Sequence, residues 1–175
     1  MKKVIITLIV AFAAAFSAHA QFWAGGSVGY SYRGGEHYMN ISPEVGYNLN
    51  DSWSVAGALN FSLNAEGGTS MLTLGLTPYA RYTFWRSGIV SAFVDGGLAL
   101  ELYHNAVKDD LGNKYSTDDF WLGIGVRPGI AIALNEKLSF VTHTGFLGVE
   151  TNFDAANFGL GVGGDEIALG LYYAF

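Results

Sequence analysis

Glu44, Arg81, Asp95, Glu101, Arg127 and His143 are side chains of types that do chemistry. In the strand phase argued below they point to one side of their strands, where opposite charges can meet. Buried carboxylates and guanidiniums must pair, since leaving one unpartnered costs several kcal/mol. The set Glu44, Arg81, Asp95, Glu101 and Arg127 therefore reads as a structural polar cluster, with His143 joining it. Proton or ion conduction and catalysis are the alternatives. To act as a catalytic base, His143 needs a hydroxyl nucleophile within hydrogen-bond reach, oriented by a carboxylate. Ser139 precedes it on the same strand face, no Ser closely follows it, and Glu150 lies further on.

Two other patterns have ordinary readings. Gly159-Leu160-Gly161-Val162-Gly163-Gly164 has the spacing of a dinucleotide fingerprint, but it precedes a strand, so no helix N-terminus awaits a pyrophosphate. Asp109, Asp110, Asp118 and Asp119 stand with Lys108 and Lys114 in a charged stretch. A solvated loop is the expectation there, and a loose cation site the alternative. No catalytic residue, cofactor or metal site is expected.

The elements that position these residues begin with an address. Lys2 and Lys3, the apolar run Val4 to Phe16 and the small-residue pattern Ala18-His19-Ala20 describe a cleavable signal peptide over 1–20. The run is too short to span a bilayer as a helix, and no longer one follows. Residues 21–175 form one domain. Among 175 residues, 50% are hydrophobic, 14% are charged and none is Cys. This excludes disorder, disulfide scaffolds and thiolate metal sites. A formal net charge of −6 gives no electrostatic case for nucleic acid.

Residues alternate with period two over eight segments: 22–32, 38–49, 53–63, 71–85, 89–103, 120–134, 138–149 and 165–175. One face carries bulky apolar groups, such as Leu72, Leu74, Leu76 and Ile124. The other carries small and polar ones, such as Ser42, Ala58, Thr77 and Gly125. A soluble ligand-binding barrel would invert this arrangement, whereas a membrane barrel requires it. In 138–149 the alternation is ambiguous, and a bulge or register change is expected.

Short turns at 50–52, 86–88 and 135–137 alternate with longer loops at 33–37, 64–70, 104–119 and 150–164. That is the up-and-down pattern with both termini in the periplasm. Trp23, Trp53, Trp85, Tyr47, Phe84 and Tyr173 are placed in a periplasmic aromatic belt. Tyr30, Tyr32, Phe61, Tyr103, Phe120 and Trp121 are placed in an outer one. Pro43, Pro78 and Pro128 share one phase before the turns and suggest bulges at one height.

The signal peptide, the eight alternating strands, units such as Val126-Arg127-Pro128-Gly129-Ile130 running to Asn135, and the terminal Tyr173-Ala174-Phe175 resemble the small eight-stranded outer-membrane β-barrel family of the OmpX and OmpA membrane-domain type. The resemblance covers 21–175. It implies an all-β, antiparallel, up-and-down transmembrane barrel in the outer membrane of a Gram-negative-type cell. It also implies a final strand, Leu169, Leu171, Tyr173 and Phe175, that the barrel-assembly machinery reads. The expected protein is a monomer in outer-membrane lipid with a plugged polar lumen and a structural or surface-interaction role through its outer loops, whose ligand their sequences do not name. A narrow channel or hydrophobic-solute conduit is one alternative. A lipid A acyl-modifying enzyme is the other.

Overall fold

The computed structural model describes residues 21–33, 36–66, 69–108, 114–144, 146–153, 156–161 and 168–175. The expected signal peptide, Asp109, Asp110, residues 162–164 and Ile167 lie outside them. The strands are β1 (Phe22–Arg33), β2 (Glu36–Asn48), β3 (Trp53–Glu66), β4 (Thr69–Ser87), β5 (Val90–Lys108), β6 (Lys114–Ala133), β7 (Leu138–His143), β8 (Phe146–Thr151), β9 (Ala156–Gly161) and β10 (Ala168–Ala174). These ten pieces make eight antiparallel staves. β7 and β8 are successive parts of the seventh, while β9 and β10 supply the eighth. Pairing of β1 with β10 and of β5 with β6 closes the ring.

Alternation puts the apolar set outside. Leu72, Leu74 and Leu76 are 40%, 42% and 45% exposed on the outer surface, while Arg81 is only 9% exposed inside. Lipid covers such an outer face, and only a closed barrel satisfies every backbone group of strands that cross it.

Two bulges change the phase. Between Thr83 and Trp85 the β4–β5 register shifts, so Phe84 is the extra residue. Between β7 and β8 the pairing with β6 shifts by one, from Gly129↔His143 to Val126↔Leu147. The ambiguity of 138–149 is thereby resolved. Leu138, Phe140 and Thr142 face out before the shift, and Leu147 and Val149 after it. Pro128 lies opposite this second bulge. The expectation of bulges at Pro43 and Pro78 is corrected: the ladder skips 42–43 and 77–78 but resumes in the same register. A missing N–H removes a bond there without shifting the strands.

The outer loops also differ from expectation. Strand pairing continues to Arg33↔Glu36, Glu66↔Thr69, Lys108↔Lys114 and Thr151↔Ala156, so much of the four expected loops is hairpin ladder. Polar side chains do not prevent pairing once neighbouring strands set the register. At the other end the turns are tight. Ser87↔Val90 closes on Gly88, whose φ of +57° suits a two-residue hairpin. Asn50 and Asn135 each accept two backbone N–H bonds with their side-chain oxygens.

The aromatic belts need three corrections. Trp53, Phe84, Trp85 and Tyr173 are exposed as expected, but Trp23 is buried in the lumen. Tyr103 and Trp121 also turn inward, where their rings meet edge-on at 6.2 Å. Odd positions of β1, β5 and β6 face in, and phase outweighs interfacial preference.

Leu59→Arg, on the lipid face of β3, is expected to destabilise the folded barrel by about 2–4 kcal/mol. Thr77→Ser in the lumen keeps the hydroxyl used by Asn60 and costs less than about 1 kcal/mol. Urea unfolding in lipid bilayers measures both, and equal penalties would mean the faces are reversed.

Candidate functional site

The lumen's centre of charge follows from one cross-strand pair. Arg81 on β4 stands directly opposite Asp95 on β5. Arg81 Nε donates to Asp95 Oδ1 at 2.7 Å and Nη2 donates to Oδ2 at 2.8 Å. This fork-to-carboxylate geometry is the strongest form of ion pair. His143 Nε2 donates to Oδ2 at 2.8 Å. Asp95 is 2% exposed and His143 4%.

Four aromatic rings surround the guanidinium. Its Cζ lies 3.9 Å from the Phe93 ring centre, 5.5 Å from those of Trp23 and Tyr172, and 5.7 Å from that of Tyr79. All lie within cation–π range. Each of these rings stands opposite a glycine on a neighbouring strand: Trp23↔Gly46, Gly25↔Tyr172, Tyr79↔Gly97 and Phe93↔Gly129. A Cβ at any of the four glycines would collide with the facing aromatic residue. Gly129 is also opposite His143, and across it Phe93 and His143 meet edge-on at 5.4 Å. The glycines supply the volume that lets an eight-stranded lumen hold bulky rings.

The other expected members separate. Glu44, 4% exposed, accepts the Tyr79 hydroxyl rather than a cation. Glu101 lies in the other half of the lumen and accepts the Tyr103 hydroxyl. Arg127 is opposite Asp95 on β6, yet it makes no ion pair among the described residues. The Asp95 carboxylate is already taken by Arg81 and His143. The expected five-residue ion-paired cluster is thus an Arg81–Asp95–His143 centre with Glu44 attached through Tyr79. Above it, Ser42 Oγ donates to Asn60 Oδ1 at 2.9 Å, and Asn60 Nδ2 donates to Thr77 Oγ1 at 2.8 Å.

Sequence reasoning missed the four rings as a group, although each occupies an inward position. It also missed Glu150, which the second bulge turns inward across Gly123. Ser139 has no hydrogen bond to His143 among the described residues. No group of three or more His, Asp or Glu there is arranged to hold a metal. Leu169, Leu171, Tyr173 and Phe175 all face outward, 42–53% exposed.

A closed antiparallel barrel with an apolar exterior and a polar lumen defines a transmembrane β-barrel protein. The chain belongs to the outer membrane protein β-barrel domain family, whose model matches residues 4–165, and it is an outer-membrane protein. Its fold is similar to that of Neisserial surface protein A, with 14% identity over 90% of this chain and 98% of that one, and a TM-score of 0.55. It is likewise similar to the N-terminal β-barrel domain of Pseudomonas aeruginosa OprF, with 18% identity over 89% and 98% and a TM-score of 0.53. No curated protein matches the sequence.

Asp95→Asn leaves the Arg81 charge without its counter-ion and is expected to cost about 3–5 kcal/mol in bilayer unfolding experiments. The double variant Arg81→Met/Asp95→Leu removes both charges and recovers a large part of that loss.

Proposed function

We propose that this outer-membrane barrel is non-catalytic and non-conducting, a structural wall element that presents its long outer hairpins to the exterior. One observation carries the reading: the Arg81–Asp95–His143 centre and its four rings lie in one layer across the lumen. An eight-stranded barrel is only wide enough for its side chains to fill it, so such a layer leaves no continuous path for hydrated ions. The partners of His143 support a structural rather than a hydrolytic role: Asp95 holds its Nε2, but no hydroxyl hydrogen-bonds its ring among the described residues. Pairing of β1 with β10 closes the ring over Trp23–Val28, which favours a monomer surrounded by lipid. The outward Leu169, Leu171, Tyr173 and Phe175 supply the alternating terminal strand that we assign as the assembly signal.

In planar bilayers the native protein is expected to give no sustained current steps, while Phe93→Ala/Tyr172→Ala opens the layer and produces them. Steady steps from the native protein would refute the closed lumen. Deleting Phe175 is expected to lower the fraction of heat-modifiable, membrane-inserted barrel at equal synthesis, as read on gels of boiled and unboiled samples. An unchanged fraction would remove the assembly role.

A further inference from the structure

The β4 bulge has a chemical result. Up to Tyr82, even-numbered residues of β4 face lipid, and in that phase Arg86 would do so too. The extra residue Phe84 reverses the phase, so Trp85 pairs with outward Ala92 and Arg86 pairs with inward Ser91. Bulges commonly re-aim a side chain in this way. Here the bulge brings a second guanidinium beneath Arg81 at the short-turn mouth of the lumen.

Between them is a cavity of about 190 Å³. Its walls include Arg81, Arg86, Asn48, Ser54, Ser91 and Ser139, and no carboxylate lines it among the described residues. Arg81 has Asp95 on one side and the cavity on another. Ser54 Oγ donates to Asn48 Oδ1 at 2.7 Å, which leaves the Asn48 Nδ2 hydrogens to donate elsewhere. Lys137 also lines the cavity, but its ammonium lies 5.6 Å from the centre of the Tyr173 ring. Cations and hydrogen-bond donors without a competing carboxylate are what a small oxyanion needs.

We propose that this mouth is an oxyanion-binding site, open to the periplasm, that takes a phosphate or carboxylate group between Arg86 and the Arg81 layer. The ligand is held by the Arg86 guanidinium, the Ser91 and Ser139 hydroxyls and the Asn48 amide, with the indole of Trp23 as an apolar wall.

The test is a titration of the refolded, signal-free barrel in detergent micelles at constant ionic strength, followed by NMR. Inorganic phosphate, acetate and chloride are the probes, and the signals read are the Arg86, Ser91 and Ser139 amides and the Trp23 indole N–H. Saturable shifts at these positions with phosphate or acetate, weakened at least tenfold in Arg86→Gln and unaltered in Lys108→Gln, are expected. Which of the two anions saturates distinguishes a phosphate-bearing from a carboxylate-bearing ligand. Shifts that rise without saturating, that are equal for chloride, or that persist undiminished in Arg86→Gln would overturn the proposal. Arg86 lies beside an exposed turn, and an unchanged amide spectrum away from the mouth verifies that the variant folds.

Discussion

The lumen is organised around the cost of burying one guanidinium. Arg81 is charged at any working pH, and taking it out of water carries a penalty of several kcal/mol. Asp95 offsets that penalty only because direct cross-strand pairing delivers both of its oxygens to the fork. His143 then occupies the remaining side of the carboxylate. A lysine at this position would offer a point charge and lose both the second hydrogen bond and the close guanidinium contact with the Phe93 ring. The β4–β5 register is thus constrained from inside by the ion pair and from outside by the lipid-facing leucines.

Space is the second constraint. Four rings and an ion pair in one layer overfill a ring of eight strands unless other positions give up volume, and four glycines do so directly opposite the rings. Large and small residues therefore alternate around the barrel as well as along each strand. The apolar exterior needs no such matching, because lipid conforms to whatever surface it meets.

The architecture was legible because lipid imposes a strict rule: every second residue must be greasy. The eight staves, their phase outside the two bulges, and the inward set including Arg81 and Asp95 follow from that rule, and turn-forming residues mark the tight turns at Asn50, Gly88 and Asn135. What was not legible depends on relations between strands. Pairing partners come from register, so the sequence could not tell that Asp95 takes Arg81 and not Arg127. Nor could it tell that Gly46 makes room for Trp23. Residue type places Trp23 at the membrane interface, although its odd position on β1 points inward. The outer hairpins read as loops because hydrophilic composition masks a strand whose pairing is templated by its neighbours.

The proline positions and the second bulge reflect a single backbone constraint. Pro128 O accepts from Thr144 N at 3.0 Å, so its missing N–H is directed to that same neighbour, the seventh stave. A ladder bond is therefore absent on that side before any bulge forms. Inserting an extra residue opposite Pro128 sacrifices less pairing than it would opposite a residue with a full donor. At Pro43 and Pro78 the facing strands keep their count and only the bond is lost. The position of the phase change, and with it the inward turn of Glu150, thus follows from where the sixth stave had already given up a hydrogen bond.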